Sequence, residues 1–126
     1  MKRLIVDLDG TITQANTSDY KNVKPALDVI EKLREYHQQG FEIVISTARN
    51  MRTFEGNVGK INIHTLPSIV EWLEKYDVPY DEILVGKPWC GHDGFYIDDR
   101  AIRPSEFTNF TLDEINALIA KEKSCS

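Results

Sequence analysis

Short apolar runs alternate with longer segments of helical periodicity, and this alternation constrains the fold more than any other feature of the chain. The apolar runs are Leu4–Val6, Phe41–Ile45, Ile83–Val85 and Phe95–Ile97, each bounded by polar or glycine residues. Such runs are typical of buried parallel strands. Strands that alternate with helices predict an α/β domain of three layers, with a mainly parallel central sheet.

Three segments have the apolar spacing of amphipathic helices. The first lies within residues 25–39 and the second follows Pro67. The third begins after a capping-box pair, Thr111 with Glu114, which is typical of a helix start. The polar stretch of residues 50–64 lacks helical periodicity, so we expect a loop there that contacts substrate or is simply solvated.

Size and charge limit the classes of protein to consider. The chain has 126 residues, which fits a single domain over 1–126. A net charge of -5 argues against a general nucleic-acid binder. With two cysteines and neither a signal-peptide pattern nor a membrane-length apolar window, the chain is expected to be cytoplasmic, with no membrane partner.

The end of the first apolar run carries two carboxylates. Asp7 and Asp9 are two positions apart, so an extended strand would place them on one face, and Gly10 allows a sharp turn beside them. Two like charges held that close are energetically costly unless a cation, a phosphate or a proton resolves their repulsion. A solvated turn is the alternative, since Asp and Gly are common in turns.

Polar groups also follow the other three predicted strands. These are Ser46–Arg49, Gly86–Pro88 and Asp98–Arg100. Because ligands of open α/β sheets bind at the carboxyl ends of strands, carboxylates, a hydroxyl and an ammonium would converge at one edge. This convergence favours a functional site over a solvated turn.

These four segments resemble the motifs of the haloacid dehalogenase-like phosphatase superfamily. They match its Asp-x-Asp-Gly-Thr motif at Asp7–Thr11, a strand-end Thr at Thr47, its Lys at Lys87 and a paired Asp at Asp98–Asp99. The resemblance implies a Rossmann-like α/β/α sandwich in which the first strand is central. It also implies a Mg²⁺-dependent phosphohydrolase that acts through an aspartyl-phosphate. The short length and the Ser-Thr-Ala-Arg and Gly-Lys-Pro-Trp segments are similar to small capsule- or polysaccharide-biosynthesis phosphatases, which implies a sugar-phosphate substrate.

The resemblance assigns catalytic roles that suit these residue types. Asp7 is the expected nucleophile, because a carboxylate can attack phosphorus and split one displacement into two steps. Asp9 is the expected acid and base. Thr47 and Ala48 are expected to bind the phosphate, and Lys87 to neutralise its charge. Strand alternation places only one of Ser46 and Thr47 inward, and the resemblance favours Thr47.

A metal ion is expected between the phosphate and the nucleophile, which are both anions. The resemblance implies that Asp7, Asp9 through its main-chain carbonyl, and Asp98 hold Mg²⁺, with Asp99 as a less direct partner; these oxygen ligands suit that ion. Asp99 could instead orient a neighbouring arginine or lysine. Arg49 and Arg52 are candidate substrate-binding residues, because planar guanidinium groups favour anionic sugars and phosphates.

Two features leave alternatives open. Residues 11–25 suffice only for a small flap, so no separate cap domain is expected, and closure must come from loops, the substrate or a second subunit in a homo-oligomer. A nucleotide or phosphoprotein phosphatase, or a phosphate-binding module without catalysis, is an alternative function. A halide-removing enzyme would need neither Asp9 nor Asp98.

Overall fold

The chain folds into three strands and five helices in the part that this computed structural model describes, residues 1–15 and 17–125. In chain order these are β1 (Arg3–Val6), α1 (Leu27–Gln38), β2 (Glu42–Thr47), α2 (Val58–His64), α3 (Leu66–Lys75), β3 (Glu82–Val85), α4 (Pro104–Asn109) and α5 (Leu112–Cys125). The chain divides into two compact units on either side of the bond between Trp89 and Cys90.

The first unit is built on a parallel sheet with the strand order β1-β2-β3. Ile5 lies opposite Val44, and Ser46 lies opposite Leu84. Within the described residues β1 is therefore an edge strand, so the central position that the resemblance implied for it is wrong for this sheet. The carboxyl ends of all three strands still lie at one edge, because the strands run the same way.

The fourth predicted strand, Phe95–Ile97, is wrong as well. These residues have no regular secondary structure, and Phe95 is 76%, Tyr96 53% and Ile97 89% exposed. An apolar run with high strand propensity becomes a strand only where a neighbouring backbone completes its hydrogen bonds. The apolar run has strand propensity, but these three residues do not form a strand in the described chain.

The core of the first unit lies between the sheet and the helices that connect its strands. Leu33 of α1, Ile43 and Ile45 of β2, and Leu73 of α3 are fully buried. Trp72 is also buried, as its helical position predicts, and its indole N–H donates to the carbonyl of Val23 at 3.0 Å. This hydrogen bond satisfies a polar group that burial would otherwise penalise.

The predicted loop over residues 50–64 contains a helix that the sequence analysis missed. Helix α2 begins after Asn57, whose side chain accepts a hydrogen bond from the backbone N–H of Lys60 at 3.1 Å. Only Ile61 of this two-turn helix is buried. With a single apolar anchor there is no periodicity to detect, and the asparagine cap was the available signal.

The second unit contains α4 and α5. The predicted capping box is present at the start of α5: Thr111 Oγ1 accepts from Glu114 N at 3.2 Å, and Glu114 Oε1 accepts from Thr111 N at 2.9 Å. Ile115, one turn into the helix, is buried. The sequence therefore located this helix start correctly.

The Rossmann-like α/β class with a parallel sheet is confirmed, and residues 1–15 and 17–125 contain no separate cap domain. Thr13 and Pro25 form an antiparallel bridge at the base of the segment that the sequence predicts to be a small flap. No helix in the described ranges has the length and hydropathy to cross a membrane. That residues 1–126 form one domain stays a prediction.

Candidate active site

A tight turn at the end of β1 positions Asp7 and Asp9. The backbone N–H groups of Thr11, Ile12 and Thr13 all donate to the carbonyl of Leu8, at 3.2, 2.9 and 3.0 Å. Gly10 has a φ of 81°, a conformation that residues with a Cβ rarely adopt. The turn is thus set by local hydrogen bonds, and it holds both carboxylates at the carboxyl end of the sheet.

The Asp7 carboxylate has two partners and remains accessible. Thr11 Oγ1 donates to Asp7 Oδ2 at 3.0 Å, and Lys87 Nζ lies 3.5 Å from Asp7 Oδ1. The side chain of Asp7 is 37% exposed and that of Lys87 is 23% exposed. A carboxylate oriented by a hydroxyl and an ammonium, yet open to solvent, can reach an incoming ligand.

Lys87 reaches this position through the turn that follows β3. Its backbone N–H donates to the carbonyl of Thr47 at 3.1 Å, which ties this turn to the end of β2. Gly86, directly before it, has a φ of 87°, and a Cβ there would lie 2.9 Å from Val58 Cγ2. The glycine is required both by its conformation and by the close approach of α2.

Asp9 is held by Arg49 in a bidentate ion pair. Arg49 Nη2 lies 2.7 Å from Asp9 Oδ1, and Arg49 Nε donates to Asp9 Oδ2 at 3.1 Å. The side chains of Arg49 and Asp9 are 1% and 15% exposed. Arg49 was predicted to bind substrate, but in this structure its guanidinium is engaged with Asp9. Two parallel charge-assisted hydrogen bonds fix the plane of this carboxylate.

Tyr20, in the predicted flap, completes this arrangement, and no sequence pattern predicted its role. The guanidinium carbon of Arg49 lies 4.1 Å from the centre of the Tyr20 ring, within cation–π range. Burial raises the pKa of Tyr20 and the charge of Asp9 raises it further, whereas Arg49 opposes them, so the phenol stays neutral at physiological pH. No local pattern connects Tyr20 to residues so distant in sequence.

The expected phosphate-binding residues follow β2. Thr47 is 1% exposed, and its hydroxyl oxygen accepts from the backbone N–H of Arg49 at 3.1 Å. Ala48, which lies between Thr47 and Arg49 in the sequence, is half-buried. Ser46 is also half-buried, and it faces the opposite side of the strand. The greater burial of Thr47 agrees with the alternation on which its assignment depends, while its phosphate role stays a prediction.

Asp98 and Asp99 belong to the second unit, where both are exposed. Asp98 Oδ1 accepts a hydrogen bond from the backbone N–H of Arg100 at 2.8 Å, which closes a short turn. Among residues 1–15 and 17–125, no group of three or more His, Cys, Asp or Glu side chains is placed to hold an ion. The metal set of Asp7, Asp9, Asp98 and Asp99 therefore stays a prediction.

An open parallel sheet with an accessible aspartate and a lysine at its strand ends defines a hydrolase-like α/β site, and the comparisons identify its family. Residues 4–71, more than half of the chain, match the model of the haloacid dehalogenase-like hydrolases. The chain belongs to this family. It is also similar to a Vibrio cholerae protein of known crystal structure, with 81% identity and a TM-score of 0.95 over 97% of this chain and 99% of that one. No curated protein matches it.

The buried ion pair makes Arg49 a stability determinant. Arg49→Ala leaves the Asp9 carboxylate partly buried without its partner, and breaking such a pair costs about 3 kcal/mol. We therefore expect the free energy of unfolding, measured by urea denaturation, to fall by about that amount. Arg52→Ala is the matched control, because Arg52 is exposed. Equal losses in the two variants would contradict this role of Arg49.

Proposed function

We propose that this hydrolase is a cytoplasmic, Mg²⁺-dependent phosphomonoesterase whose nucleophile is Asp7. The observation that carries the proposal is the environment of that carboxylate. It lies at the carboxyl end of a parallel sheet, oriented by Thr11 and within 3.5 Å of Lys87. The family match supports a hydrolase in general, and the phosphatase assignment is our extension of it.

The proposed reaction has two displacements. An Asp7 oxygen attacks phosphorus, the ester P–O bond breaks, and the leaving oxygen takes a proton from Asp9. Water then attacks the phosphorus of the aspartyl-phosphate while Asp9 removes its proton, which releases inorganic phosphate and restores Asp7. Lys87 neutralises charge on the phosphoryl oxygens in both steps, and the Thr47 hydroxyl and the Ala48 backbone are proposed to bind them.

The ion pair with Arg49 sets a condition on Asp9. Arg49 contacts both carboxylate oxygens, at 2.7 and 3.1 Å, so Asp9 must release one of these contacts and take up a proton from solvent on the freed oxygen before it can donate to a leaving group. The shorter contact and the buried guanidinium hold the carboxylate in one orientation. Asp9 is therefore oriented before substrate arrives, which lowers the entropic cost of proton transfer.

The residues present fit Mg²⁺ in their chemistry, since carboxylate and carbonyl oxygens are the ligands this ion prefers. Asp7, the main-chain carbonyl of Asp9, and Asp98 are the proposed ligands, with Asp99 as a less direct partner. The ion would supply positive charge that screens the nucleophile from the phosphate. Asp7 has the exposure that such a contact requires.

A sugar phosphate of capsule or surface-polysaccharide synthesis is the proposed substrate class. The guanidinium carbon of Arg52 lies 5.7 Å from the centre of the Trp89 ring. Trp89 follows Lys87 by two residues in the sequence. Trp89 is 42% exposed. A guanidinium beside an exposed indole can contact a sugar ring and its charged substituents, which supports a small anionic carbohydrate.

A substrate screen tests this proposal. Phosphorylated sugars, nucleotides and phosphopeptides are assayed for phosphate release with Mg²⁺, using Asp7→Asn as the background control. We expect the highest kcat/KM among the phosphosugars. A preference for nucleotides or phosphopeptides would contradict the substrate class, and binding without release for every compound would support a non-catalytic phosphate-binding module.

Asp9→Asn should slow turnover in a way that depends on the leaving group. The amide cannot supply the proton, so we expect a loss on the order of 10²-fold with alkyl or sugar phosphates. The loss should be smaller with an activated aryl phosphate, whose leaving group needs no proton. Equal losses in both substrate series, with chemistry limiting both rates, would refute the acid role.

A further inference from the structure

The Arg49 guanidinium has two partners, which contact different parts of it. Its Nε and Nη2 atoms contact the Asp9 carboxylate, and its central carbon lies over the Tyr20 ring, 4.1 Å from the ring centre. The carboxylate thus takes the edge of the guanidinium and the ring takes its face, so neither partner displaces the other. Between them they leave the Arg49 side chain 1% exposed, whereas that of Lys87 is 23% exposed.

The backbone around Tyr20 holds the ring in place without a ligand. The backbone N–H groups of Asn22 and Val23 both donate to the carbonyl of Asp19, at 3.3 and 3.1 Å, so Tyr20 lies within a hydrogen-bonded turn. Val23 is buried, and its carbonyl accepts from the indole N–H of Trp72 in α3. The turn that carries Tyr20 is therefore fastened to a core helix, and the position of the ring is set by folding rather than by substrate.

A phosphate monoester would compete with Asp9 for Arg49. The backbone N–H of Arg49 donates to the Thr47 hydroxyl oxygen at 3.1 Å, so Arg49 begins beside the residues proposed to bind phosphate. A guanidinium binds phosphate in the same bidentate manner as it binds a carboxylate. An unrestrained arginine would therefore divide its time between the two anions. A cation held over an aromatic face and away from water is stabilised where it lies, which favours the pair with Asp9.

We propose that Tyr20 is a positioning residue that keeps Arg49 on Asp9 while an anionic substrate occupies the site. When Asp9 releases one contact to act on the leaving group, the ring holds the guanidinium at the other contact, so the carboxylate keeps its orientation. Lys87 then meets the phosphate, and Arg49 serves Asp9 alone. The covering of Arg49 is a property of the folded chain, whereas its effect on turnover rests on the proposed function.

Hydrogen exchange at Arg49 Nε tests the covering without any activity measurement. In ¹⁵N-labelled protein this N–H group, assigned by its loss in Arg49→Lys, should exchange slowly in the wild type and in Tyr20→Phe. In Tyr20→Ala it should exchange about 10-fold faster. The Nε–H of Arg34, which donates to the Asp77 carbonyl at 3.1 Å, is an internal reference that should not change. Unchanged exchange at Arg49 in folded Tyr20→Ala would overturn the proposal.

Urea unfolding verifies that each variant is folded. If Tyr20→Ala is not, Tyr20→Leu replaces it, because leucine keeps apolar bulk without an aromatic face. Tyr80→Ala is the matched control for loss of a tyrosine ring. Tyr80 is half-buried like Tyr20, and its hydroxyl donates to Glu74 of α3 instead of contacting the candidate site.

Kinetics tests whether the covering matters for Asp9. In Tyr20→Ala we expect kcat with a sugar phosphate to fall about 10-fold, and to fall less with an activated aryl phosphate, whose leaving group needs no proton. A merely structural loss would lower both rates equally. Arg49 released from Asp9 can bind phosphate, so the inhibition constant of inorganic phosphate should fall several-fold. Tyr20→Phe keeps the ring and should recover most of the lost kcat.

A direct role of the Tyr20 hydroxyl would give the opposite results. Equal losses of kcat in Tyr20→Phe and Tyr20→Ala would show that the ring is not what matters, and the proposal would be wrong. Weaker inhibition by inorganic phosphate in Tyr20→Ala would also overturn it, because Tyr20 would then contact the substrate. If the wild type releases phosphate from no substrate, the proposed function fails, and exchange at Arg49 Nε still decides whether Tyr20 covers this arginine.

Discussion

We expect Asp7→Asn to abolish phosphate release while the protein stays folded, which would be the largest effect of a single substitution in this protein. The amide has nearly the shape of the carboxylate but is a poor nucleophile. Thr11 Oγ1, which donates to Asp7 Oδ2 at 3.0 Å, can donate to an amide oxygen as well. Loss of the negative charge beside Lys87 also removes an electrostatic cost of binding phosphate, so substrate affinity should not fall.

Three measurements check this result. Steady-state kinetics gives the loss of turnover, urea unfolding gives the stability, and mass spectrometry of acid-quenched wild type should detect a phosphoryl group on Asp7. Asp77→Asn is the matched control. Asp77 is exposed, follows α3 before β3 begins, and has a φ of 56°, which asparagine tolerates. Substantial turnover by folded Asp7→Asn protein would rule out the covalent route.

Removal of divalent cations should have an effect of similar size. Asp7 and a phosphate monoester are both anions, and Lys87 supplies a single positive charge 3.5 Å from Asp7. One ammonium does not balance both groups, so we expect an ion such as Mg²⁺ to be needed to bring them together. We expect EDTA to abolish turnover of the proposed substrates and added Mg²⁺ to restore it.

The chelation experiment needs a control that shows that EDTA does not unfold the protein. Circular dichroism and urea unfolding should show the same fold with and without EDTA, because Asp7 already has Thr11 and Lys87 as partners. Asp98→Asn should raise the Mg²⁺ concentration needed for half-maximal activity. Full turnover in excess chelator would show that the cation has no part in the reaction.

Local sequence pattern was sufficient to predict most of the helices and strands in the described chain. The apolar runs at Leu4–Val6 and Ile83–Val85 lie in β1 and β3, and the capping box at Thr111 begins α5. Each of these elements has a strong signal of its own, either a buried strand run or a helix cap. Helix α2 has only one buried anchor, Ile61, and so produced no such signal.

The sequence by itself determined that Asp7 and Lys87 would lie at the carboxyl ends of parallel strands, because chain direction and strand boundaries suffice for that. Only the tertiary structure decided the position of β1 at the sheet edge, the irregular conformation of Phe95–Ile97, and the pairing of Asp9 with Arg49 under Tyr20. The physical reason is the same in all three cases. The strand that pairs with β1, the arginine that pairs with Asp9 and the aromatic ring that lies against that arginine all come from distant parts of the chain. Local propensity carries no information about which distant residues come into contact.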